Sequence, residues 1–124
     1  MKYTDEQLER MLCCPDWYDR AMVAKEGYGL ERLVFDPHPW VRTEVARQGY
    51  RLELLVQDHY WPVRRAVAEH GYGLDLLLHD NAWQVRIVVA QHGYGLEILM
   101  DDEDYCVRNV AKAYQVQRSV EADA

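Results

Sequence analysis

The chain has 124 residues, 49% hydrophobic and 28% charged, which is room for one domain with an ordinary globular balance. Its net charge of −7 makes nucleic acid an unlikely partner, because that affinity comes largely from Lys and Arg at phosphates. A basic protein or peptide is electrostatically easier. Cys13, Cys14 and Cys106 make no disulfide framework. No run approaches the roughly 18 apolar residues of a membrane span, and MKYTDEQLERML has acids where a secretory leader needs an apolar stretch. A cytoplasmic location is therefore expected.

In chain order, glycine followed by tyrosine returns at Gly27, Gly49, Gly71 and Gly93, each 22 residues after the last. The units are GYGLERLVFDPHPWVRTEVARQ (27–48), GYRLELLVQDHYWPVRRAVAEH (49–70), GYGLDLLLHDNAWQVRIVVAQH (71–92) and GYGLEILMDDEDYCVRNVAKAY (93–114). A degenerate first copy, DEQLERMLCCPDWYDRAMVAKE, occupies 5–26, and a tail follows at 115–124. The whole of 1–124 reads as a single repeat domain, the signature of stacked helical units.

Within each unit the first element is brief, about six residues, for example Leu30 to Phe35. Leu8, Leu30, Leu52, Leu74 and Leu96 share one column; Met11, Leu33, Leu55, Leu77 and Leu99 share another, three residues on. That spacing puts both on one face of a short α or 3₁₀ turn. Asp36, Asp58, Asp80 and Asp102 follow, where aspartate would cap the second helix. The second helix runs about twelve residues, for example 37–48, and Pro37 suits its first position. Its inward face carries Trp40, Val41 and Val45, or Val63 and Val67, or Val85 and Val89; spacing of four is helical. Gly49, Gly71 and Gly93 end these helices. Neither element would be stable alone at such lengths. The first unit and the last helix, roughly 105–118, carry polar residues suited to caps.

The motif L-x-x-L-x-x-D followed by V-R-x-x-V-A reads here as Leu30-Glu31-Arg32-Leu33 through Asp36, then Val41-Arg42 and Val45-Ala46. The last copy has Val107-Arg108-Asn109-Val110-Ala111, one residue shorter, and the first has Asp19-Arg20. This pattern resembles the leucine-rich repeat variant family and, more broadly, HEAT-type repeats. The resemblance implies an all-α, right-handed α-solenoid of five units, each pairing a 3₁₀-like helix with a longer α-helix. It implies a binding scaffold too, although fold does not fix function. The chain departs from the family in its slightly shorter unit. It also lacks the cysteine-rich iron–sulfur module, and adjacent Cys13 and Cys14 do not match a four-cysteine cluster, so no cofactor is carried over.

Arg20, Arg42, Arg64, Arg86 and Arg108 share a column. They could bind anions, or each could tie to an aspartate six residues earlier or in the next unit. The second reading is favoured, because an unpaired charge beside core valines is costly. Glu9, Glu31, Glu53, Asp75 and Glu97 directly follow the leucine column and should point outward, either as a solvated face or as a stripe that reads a basic peptide. Tyr28, Tyr50, Tyr72 and Tyr94 are the leading contact residues, with a packing ladder as the alternative. Trp17, Trp40, Trp61 and Trp83 are expected in the core between units.

His70 and His92, one unit apart, would lie about 10 Å from each other in packed helices, too far for one metal ion. His38, His59 and His79 read as helix-terminal polar residues. Asp101, Asp102, Glu103 and Asp104 lack the spacing and central glycine of an EF-hand loop. No H-E-x-x-H, phosphate loop, G-x-S-x-G or C-x-x-C occurs. The expected function is a non-catalytic scaffold for a protein or peptide, with the tyrosine and acidic columns as its contact surface. A HEAT-like nucleic-acid-binding protein or DNA glycosylase-like enzyme, and a purely structural self-associating array, stand as alternatives.

Overall fold

A computed structural model describes residues 2–123. Among them the chain forms ten α-helices and no strands, alternating short and long after the first pair. The first pair is α1 (Asp5–Leu12) and α2 (Trp17–Lys25). The four-residue helices are α3 (Leu30–Leu33), α5 (Leu52–Leu55), α7 (Leu74–Leu77) and α9 (Leu96–Leu99). Between them lie α4 (Pro39–Arg47), α6 (Trp61–Glu69) and α8 (Trp83–Gln91), and α10 (Tyr105–Asp123) closes the series.

The long helices pack in chain order, α2 on α4, α4 on α6, α6 on α8 and α8 on α10. Each short helix rests on the long helices before and after it and on no other short one. The seam between long helices is filled by fully buried Val41, Val63, Val85 and Val107, and four residues on by Val23, Val45, Val67 and Val89. Ala24, Ala46, Ala68 and Ala90 are fully buried beside them; small side chains let the helices approach closely. Leu33, Leu55, Leu77 and Leu99 anchor the short helices into this seam. So do Val34, Val56 and Leu78, which the leucine spacing does not single out.

The first element is shorter than the expected six residues. In α3 the Leu33 and Val34 N–H groups reach back four residues, to Gly29 and Leu30. Phe35 and Asp36 N–H then bond three residues back, to Arg32 and Leu33, a tightening common at helix ends. The long helices also start later than expected. Asp36, Asp58, Asp80 and Asp102 are not the capping residues. Each lies two positions earlier and accepts the N–H two residues on, His38 at 2.9 Å, Tyr60 at 3.0 Å, Ala82 at 2.9 Å and Asp104 at 2.8 Å. This side-chain-to-backbone turn bends the chain into the helix and frees the carboxylate's other oxygen for a different partner.

Two positions show why glycine recurs. At Gly93, φ is +73° and a Cβ would lie 2.5 Å from the Tyr114 ring. At the start of the short helices Gly29, Gly73 and Gly95 are left-handed, and Arg51 takes the same conformation, φ 52°. Left-handed geometry costs a non-glycine residue roughly 1–2 kcal/mol, a strain the fold carries at the exposed Arg51.

Candidate functional site

The arginine and aspartate columns meet. Arg42 Nε donates to Asp58 Oδ2 at 2.7 Å and its NH2 donates to Oδ1 at 3.2 Å. Arg20–Asp36, Arg64–Asp80 and Arg86–Asp102 repeat this fork, with Nε–Oδ2 distances of 2.7, 2.6 and 2.8 Å. The remaining NH1 donates to the backbone carbonyl six residues earlier: Asp36 O for Arg42, Asp58 O for Arg64 and Asp80 O for Arg86. Arg20 uses Cys14 O in the same way. Arg108 keeps the carbonyl bond, to Asp102 O at 2.7 Å, and its guanidinium lies over the Tyr105 ring.

These side chains are largely buried, and bidentate charge-assisted bonds are the strong ones. Burial alone would raise the Asp102 carboxyl, but bonds from Arg86 and the Asp104 N–H outweigh it and hold Asp102 below the usual carboxylate value. Arg86 is raised in turn by its bond to Asp102, and Arg20 by Asp36. Because their donors and acceptors meet one another, Arg20, Arg42, Arg64 and Arg86 are not placed to receive a ligand.

Two side chains at the ends of long helices, His70 and Gln48, also have local jobs. His70 Nε2 lies 2.9 Å from Arg47 O, and Gln48 Nε2 donates to Lys25 O at 3.2 Å. Each reaches back to the end of the preceding long helix. Among the described residues, no group of three or more His, Cys, Asp or Glu side chains could hold a metal.

The tryptophans correct the sequence expectation. Trp17, Trp40, Trp61 and Trp83 are 39%, 47%, 37% and 42% exposed, so they are not core between units. Trp40 sits beside Val41 at the start of α4, about 100° round the helix from the inward face. The buried alanine seam leaves no room for an indole. Trp17, Tyr18 and Trp40 border an open groove of about 290 Å³ with Lys25 and Glu44 at its rim. Trp40, Trp61 and Arg65 border the next.

The tyrosine column divides. Tyr28 and Tyr50 are half-buried against the core, while Tyr72 and Tyr94 are 42% and 41% exposed. Tyr28 Oη donates to Glu9 Oε2 at 2.7 Å, and Arg32 NH2 donates to Glu9 Oε1 at 3.0 Å. The Tyr28 hydroxyl first, and Arg32 second, lower the Glu9 pKa; the same bond raises Tyr28. Glu31, Glu53, Asp75 and Glu97 are all exposed. Glu53 pairs with Arg51 at 2.6 Å.

One apolar feature was not evident from the helical spacing. Leu54, Leu76 and Ile98, third residues of α5, α7 and α9, are 39%, 57% and 47% exposed. Only Arg32 fills this column in α3. The signal was available as the 22-residue column itself, but a leucine between two core leucines in a four-residue helix reads as core. The short-helix face therefore joins exposed tyrosines, carboxylates and an aliphatic stripe. No protein-family profile matches the chain, and no curated protein matches it.

Proposed function

We propose that the chain is a right-handed α-solenoid of five 22-residue repeats. It acts in the cytoplasm as a non-catalytic scaffold that binds an extended segment of another protein along its short-helix face. The carrying observation is that Tyr72, Leu76, Tyr94 and Ile98 stay exposed on a frame whose arginines and aspartates already satisfy one another. Exposed apolar side chains bordered by polar ones mark recognition sites, and tyrosine is favoured there.

A selection from a random displayed-peptide library tests this reading. It is run on the wild-type chain and on a Tyr72→Ala/Leu76→Ser variant with unchanged circular dichroism. Enrichment by the wild type that the variant loses is the expected result. Equal enrichment of the same sequences by both would overturn the proposed face.

A second reading has one observation in its favour. The tryptophan face also carries Lys25, Arg47 and Arg65, and aromatic rings among cations can stack single-stranded bases. Arg47 is paired with Glu44 at 2.6 Å, however, and Arg65 lies 3.8 Å from Glu69, which leaves little free positive charge. Quenching of tryptophan fluorescence by an oligonucleotide at low salt would favour this second reading.

A further inference from the structure

The aliphatic stripe raises a question of what covers it, and the chain supplies an answer in its own first step. Glu9 of α1 is met by two side chains of the next unit, the Tyr28 hydroxyl and the Arg32 guanidinium, which bonds both carboxylate oxygens at 3.0 and 3.3 Å. Moving one register along replaces Glu9, Tyr28 and Arg32 by Glu31, Tyr50 and Leu54. Two further moves give Glu53, Tyr72 and Leu76, then Asp75, Tyr94 and Ile98. The carboxylate and the tyrosine persist, and the arginine does not.

Leu54, Leu76 and Ile98 thus stand where the first step has a guanidinium. Glu31 and Asp75 form no ion pair and no side-chain hydrogen bond among the described residues, whereas Glu53 is met only by Arg51 of its own turn. The result is an apolar stripe bordered by carboxylates of which two, Glu31 and Asp75, lack the cation their counterpart Glu9 has, while Glu53 offers one oxygen beside its bond to Arg51.

We propose that this stripe docks an extended, arginine-bearing peptide segment. Its guanidinium groups take the place of Arg32 at Glu31 and Asp75 and meet the Glu53 carboxylate beside Arg51, and the methylene stems of the arginines lie on Leu54, Leu76 and Ile98. Arginine stems cover apolar surface in this way while the charged head stays wet. The proposal rests on the protein-binding reading above and adds the chemistry of the partner. The long helices that carry successive units pack at roughly 8–10 Å, and three residues of extended chain span about 10 Å. An arginine at every third position therefore keeps step with successive units.

The test uses a synthetic peptide of Ala-Ala-Arg triplets and its citrulline counterpart, which keeps the shape and loses the charge. Titration by fluorescence anisotropy should give binding that weakens with salt, at least about tenfold tighter for arginine than for citrulline, as loss of several ion pairs implies. Ile98→Arg lets the chain fill its own site at the unpaired Asp75 and should weaken binding roughly two- to five-fold. Arg32→Leu releases Glu9 and should strengthen it by a similar factor.

Because both changes alter net charge, Val116→Arg and Arg65→Leu, off the stripe, serve as charge-matched controls. Equal shifts from the controls, or equal binding of the citrulline peptide, would overturn the proposal. If the displayed library instead yields arginine-free sequences that the Tyr72→Ala/Leu76→Ser variant loses, this inference fails while the protein-binding reading stands.

Discussion

Arg64 and Asp80 are joined across two successive helical units by a two-pronged ion pair, Nε–Oδ2 2.6 Å and NH2–Oδ1 3.0 Å, while Arg64 NH1 also holds the Asp58 carbonyl at 2.7 Å. One side chain therefore fixes the turn before its own helix and the turn of the following unit. Removing it alone strands a largely buried carboxylate. Arg64→Met is expected to cost about 3 kcal/mol, the lower end for breaking a buried pair, read as a lowered urea midpoint. A change under about 1 kcal/mol would mean that solvent replaces the guanidinium without loss.

Arg51 is the one non-glycine residue with positive φ among those described. Arg51→Gly removes that strain, worth roughly 1–2 kcal/mol, and also loses the exposed pair with Glu53, which solvent screens. Part of the gain is offset by the freer unfolded chain. The expected net effect is a stabilisation of about 0.5 kcal/mol, seen as a higher melting temperature. A lower one would show that the Arg51 side chain stabilises more than its backbone costs.

Gly71 and Gly93 share a column and a φ near +75°, but their surroundings differ. A Cβ at Gly71 would stand 3.7 Å from the His92 ring, and at Gly93 only 2.5 Å from Tyr114. Gly71→Ala should cost roughly 1–2 kcal/mol for the left-handed backbone alone. Gly93→Ala should cost about 1 kcal/mol or more beyond that, for the displaced ring. Equal losses in denaturant melts would mean that Tyr114 swings away freely.

Much of the architecture was legible because its causes recur. Twenty-two-residue columns of leucine, valine, aspartate and glycine each answer to one local requirement, and a requirement met several times in one chain stands out from chance. The same columns offered Arg42 two aspartates, Asp36 and Asp58, and it is the one in the next unit, Asp58, that takes the guanidinium. What the columns do not encode is depth. Trp40 and Val41 are adjacent and both apolar, yet one is half-exposed and the other fully buried, because the alanine seam admits no indole. Leu76 and Leu77 differ in the same way: the first faces out and the second in. A four-residue helix has too few residues to show a period, so the exposed stripe of Leu54, Leu76 and Ile98 was the least readable from spacing.

That difference in depth predicts a difference in energy. Trp40→Ala removes a half-exposed ring and should cost about 1 kcal/mol, well short of the roughly 3–5 kcal/mol of a core tryptophan. Val67→Ala, at a fully buried site, should cost at least as much despite losing far fewer atoms, because two methyl-sized groups leave a cavity. Acrylamide should quench most of the tryptophan emission of the native protein. A Trp40→Ala loss above about 3 kcal/mol would return the indoles to the core.

Acid should expose the Asp102–Arg86 pair through its proton balance. Asp102 is held below its ordinary value when folded, so the folded state binds this proton less readily than the unfolded chain does. The stabilisation is then fully present above the unfolded aspartate pKa, about 3.9, and is lost as the pH falls through the lower folded value. Asp102→Asn removes that titration but keeps a group able to accept from the Asp104 N–H. The gap in urea midpoint between wild type and Asp102→Asn should therefore be widest near neutrality and close progressively below about pH 4. A gap of the same width at pH 3 and pH 7 would mean that the carboxylate acts there by shape and hydrogen bonding, with its charge contributing nothing to the fold.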